Sequence, residues 1–194
     1  MTLVIHEVHR VRGKEAEAFE EAVRQYFEAA AALGAEPGWY FEVSHGTGPS
    51  YRVVTGLRLP AWAAWEAFAE GSAYGKLSAA TEAVDACRYD SEARLFQVVA
   101  ERADGAEELP GPALWVQRTV AEADAASLDH DGPERPEVVL RQVLGDSPPD
   151  TVTVLRREAP RDVLDLLTGT TPSPTAPSGQ STWVLRPSDW SPLR

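Results

Sequence analysis

Residues Leu3 to Val11 alternate between apolar and polar side chains, which predicts a strand, and Arg12-Gly13-Lys14 supplies the turn that follows it. The next apolar positions, Phe19, Ala22, Val23, Tyr26, Phe27, Ala30 and Leu33, recur at spacings of three and one. That spacing traces one face of a helix, with Gly34 where a C-terminal cap belongs, and such a helix has to lie on a sheet. Pro37-Gly38 opens a second strand, Trp39 to His45, and Gly46-Thr47-Gly48-Pro49 reads as the hairpin loop before a third, Tyr51 to Leu59. Pro60 suits the first turn of another helix, whose buried stripe is Trp62, Trp65 and Phe68. Gly71 interrupts it, helical spacing resumes from Tyr74 to Cys87, and Arg94 to Ala100 forms a fourth strand.

Strand, helix, strand, strand, helix, strand is the ferredoxin-like split βαβ order, so residues 1–101 are expected to form an α+β unit. Residues 102–112, rich in Gly, Pro and acids, read as a linker. Residues 113–194 repeat the order in reduced form. Ala113 to Ala121 is a strand and Glu122 to Asp129 a stunted helix. Glu137 to Leu144 and Thr151 to Glu158 are strands around the turn Gly145 to Asp150. Pro160 to Leu167 is a short helix, Thr168 to Thr182 a loop, and Trp183 to Arg186 a last strand. The expected architecture is therefore two βαββαβ repeats in tandem, the second degenerate. The competing reading is an unrelated β-rich extension.

Composition narrows the partners. Thirty acidic against 18 basic residues give a net charge of -12 over 194 residues, and the excess is spread along the chain, 14 against 9 before residue 101 and 16 against 9 from there. A uniformly acidic surface repels phosphate backbones and anionic headgroups, which argues against nucleic acid and membrane partners. No apolar run approaches a membrane span and Met1 leads directly into a strand, so a cytoplasmic location is expected. Cys87 is the only cysteine, which excludes an internal disulfide and a thiolate metal cluster; it continues the stripe Leu77, Ala80, Val84 as a buried, inert thiol.

The stretches IHEVHRVRGKEAEAFEEAV (from Ile5) and LPAWAAWEAFAEGSAYGKL (from Leu59) resemble NIPSNAP-like and antibiotic-biosynthesis-monooxygenase-like proteins of the dimeric α/β-barrel superfamily. The likeness covers roughly residues 3 to 100. It implies two four-stranded sheets packed into one barrel with helices outside, usually from two subunits. Here the second half is expected to supply the other sheet, giving a monomeric pseudo-dimer, with a homodimer as the alternative. The resemblance also implies a cofactor-independent small-molecule enzyme of monooxygenase, cyclase or isomerase type. Its substrate would be apolar, aromatic or polyketide-like, in a barrel or cleft pocket. The alternative is a non-catalytic ligand-binding, haem-binding or structural barrel. The Asn of the haem-degrading branch has no counterpart, because the chain contains no Asn. A strand His leaves haem binding open without supporting it, and no cofactor or metal is predicted.

The candidate chemistry starts at Glu7 and His9, which share one face of the first strand about 6.5 Å apart, with His6 on the other face. A carboxylate beside an imidazole is a general-base arrangement, in which the carboxylate raises the ring's basicity and fixes its tautomer. The plainer reading is two solvated side chains, or a pair meeting Arg residues in a wet interior. His45 ends the second strand near the same sheet end, but it alternates with Trp39, Phe41 and Val43 rather than with Tyr40, Glu42 and Ser44. His130, in an Asp/Gly/Pro-rich stretch, is expected to be solvated. The predicted catalytic set is Glu7 and His9 as base and orienter, with Tyr40, Tyr51 or Arg52 polarising a substrate carbonyl. Thr55, Arg58 and Arg94 are further polar strand residues able to line a pocket. Val53 and Leu57 on one face of the third strand and Val54 on the other leave its interior face open.

Overall fold

The computed structural model describes residues 1–45, 50–101, 114–121, 137–144, 151–160, 163 and 182–193. The first half runs β1 (Leu3–Val11), a 3-10 turn (Gly13–Glu15), α1 (Ala16–Ala31), β2 (Glu36–His45), β3 (Arg52–Leu59), α2 (Trp62–Ala73), α3 (Ser78–Ala86) and β4 (Arg88–Glu101). The second contributes β5 (Leu114–Ala121), β6 (Val138–Leu144), β7 (Thr151–Glu158) and β8 (Thr182–Pro187). The expected linker, the stunted helix at 122–129, the turn at 145–150, most of the helix at 160–167 and of the following loop, and His130 lie outside the described residues.

The eight strands among the described residues close into one antiparallel barrel in the order β1-β3-β2-β8-β5-β7-β6-β4. Taken from β4, the first half contributes β4-β1-β3-β2, and the second contributes β8-β5-β7-β6, the same relative order. The two quartets join where β2 pairs with β8 and where β4 pairs with β6, so one chain closes the barrel without a partner. The α+β barrel of two four-stranded halves, expected from the element order together with the family resemblance, is the observed fold.

Strand alternation sorts the side chains into two cores. Val4, Trp39, Phe41, Val54, Phe96, Trp115, Leu140, Leu155 and Leu185 fill the barrel lumen from both halves. The opposite face of the first sheet, with Leu3, Tyr40, Val53, Leu57 and Leu95, packs on Phe19, Val23 and Phe27 of α1, Phe68 of α2 and Val84 of α3. β3 is apolar on both faces because both are covered, which is why its sequence alone names no interior side. Gly56 on β3 lies beneath the Trp39 ring; a Cβ there would stand 2.1 Å from the indole.

The helix ends follow their local chemistry. At the end of α1, Gly34 takes φ +83° while Ala35 N–H bonds Ala30 O and Gly34 N–H bonds Ala31 O, the paired bonds of a Schellman cap. Three expectations are corrected. β2 begins at Glu36, because the Pro37-Gly38 pair is absorbed as a bulge in the ladder with β3. Gly71 does not interrupt α2; it is buried within it, where Leu33 packs so closely that a Cβ would meet it at 2.6 Å, and the break comes instead at Gly75, with φ +75°. Trp62 is not core: it is 46% exposed, stacks on half-buried Trp65 and donates its indole N–H to Glu66 Oε1 at 2.9 Å, leaving Phe68 as the buried member of the stripe. Cys87 is buried as expected, and burial pushes its thiol pKa up.

The C-terminal segment returns to the first half. Trp190 packs on Phe27 and Tyr40, its indole N–H donating to Glu20 Oε1 at 2.6 Å. Ser191 Oγ accepts the Tyr40 backbone N–H at 3.1 Å.

Candidate functional site

A cavity of about 170 Å³ lies between the outer face of the first sheet and its helices. Glu7 and His9 of β1, Thr55 of β3 and Arg88 at the start of β4 form its polar wall. Val23, Tyr26 and Phe27 of α1, Ser72 of α2, and Thr81 and Val84 of α3 close the other side. β1 is the second strand of its quartet, and its period of two delivers Glu7 and His9 to the helix side while sending His6 to the lumen.

Arg88 organises this wall. Its Nη1 donates to Glu7 Oε1 at 2.7 Å and to His9 Nδ1 at 2.6 Å, while Nε and Nη2 hold Asp85 at 2.8 and 2.6 Å. A guanidinium has no acceptor, so Nδ1 must present its lone pair and the ring proton must sit on Nε2. Nε2–H then donates to Thr55 Oγ1 at 2.9 Å, which leaves the Thr55 hydroxyl proton to point elsewhere. Phe19 packs edge-on against the imidazole, 5.0 Å between centroids. Both ring nitrogens of His9 are therefore engaged.

The electrostatics differ from the sequence expectation. His9 Nδ1 is 3.8 Å from Glu7 Oε1, yet Arg88 stands between them. Burial lowers the His9 pKa to about 4; Glu7 works against this and Arg88 with it, so the ring is a neutral donor rather than a strengthened base. For Glu7, burial works upward, but the His9 ring and the Arg88 guanidinium outweigh it and its carboxyl stays below the usual range. Tyr26 is pushed up to about 12, chiefly by burial, so its hydroxyl keeps its proton. The cavity thus combines an ionised carboxylate, hydroxyl donors and apolar walls.

The structure brings Glu7 and His9 together and adds Thr55; it does not gather the rest of the predicted set around them. Tyr40 is on the same sheet face and fully buried, opposite Thr55 in the ladder, but its ring packs against Phe19 and Trp190 away from the cavity lining. Tyr51 is 65% exposed at φ 58°, its ring against Gly13. Arg52 faces the lumen, with its guanidinium 4.5 Å over the Trp183 ring. Arg88 escaped the sequence reading because β4 starts at Arg88, six residues before the predicted Arg94. Its signal was Asp85 three residues earlier, an i,i+3 pair at a helix end.

A porphyrin does not fit this site: the cavity is of single-ring size, and the imidazole nitrogen that would bind iron is committed at both positions. Among the described residues no group of three or more His, Cys, Asp or Glu is placed to hold a metal ion. No described helix is long and apolar enough to cross a membrane.

No family model matches the chain, and no curated protein sequence matches it. Solved structures do match. A candidate monooxygenase of Fusobacterium nucleatum aligns at TM-score 0.61 and 8% identity over 96% of this chain and 92% of its own. An anthrone oxidase-like protein aligns at 0.57 and 10% identity, covering 100% and 94%. A mutant chlorite dismutase of Candidatus Nitrospira defluvii aligns at 0.51 and 10%, covering 96% and 92%. The chain therefore shares the fold of these proteins over nearly its whole length.

Proposed function

We propose that the protein is a small-molecule enzyme that binds a single-ring aromatic carbonyl compound in the helix–sheet cavity and removes a proton from the carbon next to its carbonyl. The observation that carries this reading is the chain Glu7–Arg88–His9–Thr55, which sets an ionised carboxylate and an oriented hydroxyl on one wall of an otherwise apolar cavity. The Thr55 hydroxyl, its oxygen already accepting from His9, donates to the carbonyl oxygen. Glu7 takes the carbon-bound proton, and the electron pair left behind moves onto that oxygen as an enolate. Reprotonation on the oxygen completes an isomerisation to the enol; with dioxygen as co-substrate and oxidant, the carbon instead forms a C–O bond to give a hydroperoxide, whose O–O bond breaks with loss of water to leave a second carbonyl.

The similarity to an anthrone oxidase-like protein supports an aromatic ketone as the substrate type. Size argues for one ring: a cavity of about 150 Å³ accepts benzene, and this one is about 170 Å³. A larger polyketide framework is disfavoured on that ground. A purely passive binding cavity would not need charges converging on one ring edge, which costs desolvation.

Phenylacetone in D2O tests the proposal, with deuterium incorporation at its methylene followed by proton NMR. Wild type should exchange faster than buffer, Glu7→Gln should lose roughly 100-fold or more of that acceleration, and Thr55→Val should lose a smaller part. Equal exchange by Glu7→Gln and wild type would overturn the catalytic role and leave a binding site.

A further inference from the structure

The helix side of the Glu7–His9 cavity is polar in a different way from its sheet side. Tyr26 of α1, Ser72 of α2 and Thr81 of α3 bring three hydroxyls to the lining among Val23, Phe27 and Val84, and among the described residues no charged group lines this side. Ser72 is the exposed member of the lining, and Tyr26 and Thr81 are half-buried, so the cavity reaches solvent between the helices, with its floor on the sheet.

Tyr26 is the best defined of the three. Its phenol oxygen feels the charges of both Glu7 and Arg88, which puts it on the cavity side of α1, and with its pKa pushed up to about 12 it keeps its proton and donates. Among the described residues neither the Tyr26 nor the Thr81 hydroxyl has a hydrogen-bond partner. A half-buried hydroxyl that no protein group satisfies is completed by water or by a ligand. A ligand hydroxyl can accept from Tyr26 and donate to Thr81 Oγ1, whereas an ether oxygen can only accept and a carboxylate would meet no cation on this side.

We propose that the cavity selects aromatic ketones whose ring carries a hydroxyl para to the ketone-bearing chain, with Tyr26 and Thr81 as the specificity-determining pair. This deepens the reading above and rests on it for the direction of the substrate: with the carbonyl at Thr55 on the floor, the far end of a single ring points to the mouth. The hydroxyl occupies the opening, so it asks for no further enclosed volume.

Isothermal titration calorimetry of the whole chain with phenylacetone, para-hydroxyphenylacetone and para-methoxyphenylacetone tests this through ratios of Kd. The hydroxyl compound should bind roughly 5-fold tighter than phenylacetone or better, the worth of one net hydrogen bond, and the methoxy compound should gain less. Tyr26→Phe should bring the ratio close to one and Thr81→Val should lower it part of the way, while Glu7→Gln should keep it. Equal affinity for the hydroxyl compound and phenylacetone in wild type, a ratio that survives Tyr26→Phe, or no binding of any of the three would overturn the proposal. So would a ratio lost in Glu7→Gln and kept in Tyr26→Phe, which would seat the hydroxyl on the sheet. Deuterium exchange separates this result from the catalytic one. An intact preference without accelerated exchange removes the catalysis and leaves the selection, whereas accelerated exchange at equal affinities removes the selection and leaves the catalysis.

Discussion

His6 and His9 leave β1 three residues apart, on opposite faces, and are equally buried, but their surroundings have little in common. His6 is bonded to a neutral group, Gln117 across the lumen, with the rings of Trp39 and Phe96 edge-on, and the charges of Arg94 and Glu92 act on it in opposite directions. His9 sits in a line of charges, with Arg88 on Nδ1 and Glu7 beyond it. Both rings end at a pKa of about 4, chiefly by burial; at His6 the Gln117 hydrogen bond works against it, and at His9 Glu7 works against it and Arg88 with it. Equal pKa values can thus hide unequal susceptibility: where a charged group is bonded directly to the ring, as Arg88 is to His9, deleting a single side chain can tip it.

Acid should produce the largest effect, and both rings share it. Their folded pKa values lie below the unfolded value of 6.5, so the unfolded chain binds more protons between about pH 6.5 and 4. Stability is full above 6.5 and falls through that window, by up to roughly 3 kcal/mol per ring. Glu7 adds a further loss below the ordinary carboxyl range. Urea denaturation across this range checks the sign, and His6→Gln and His9→Gln should each flatten about half of the slope.

Arg88→Met separates the two rings. It strands Glu7 beside His9 and should cost about 3 kcal/mol, the usual penalty for breaking a buried pair from one side. With the opposing cation gone and Glu7 retained, the His9 pKa should climb, while His6 stays near 4. Histidine-ring NMR of the variant reads both at once; parallel movement of the two would mean that Arg88 acts through global loosening instead.

Neighbouring residues on β3 sharpen the same contrast. Gly56→Ala drives a methyl into the Trp39 ring and should cost about 2 kcal/mol or more. Thr55→Val, on the roomier helix side, removes one hydrogen bond to His9 and should cost about 1 kcal/mol. Chemical denaturation of the two variants gives the ranking, and a reversed order would contradict the assignment of a tight lumen and an open cleft.

The sequence carried much of this arrangement and missed specific parts for physical reasons. Period two along β1 already separated His6 from Glu7 and His9, and the repeated element order anticipated eight strands in two quartets. The roles of Tyr51 and Arg52 depended on which face of β3 is interior, and two covered faces make that undecidable from hydrophobicity. Trp62 was misread because an exposed indole stacked on another has the same helical spacing as a core stripe. Arg88 was invisible as a site residue because its partners Glu7 and His9 lie about 80 positions away, 81 and 79 along the chain, and only the β1–β4 ladder brings them into register.

The most direct test of the site is nitrogen-15 NMR of the histidine rings, with His9 assigned by its loss in His9→Gln. His9 should carry its proton on Nε2, leave Nδ1 unprotonated and stay neutral down to about pH 4. Phenylacetone should shift His9 and leave His6 in place. A His9 ring that titrates near 6.5 with either nitrogen protonated, or that ignores phenylacetone while His6 responds, would contradict the Arg88–His9–Thr55 arrangement and move the ligand site out of the helix–sheet cavity.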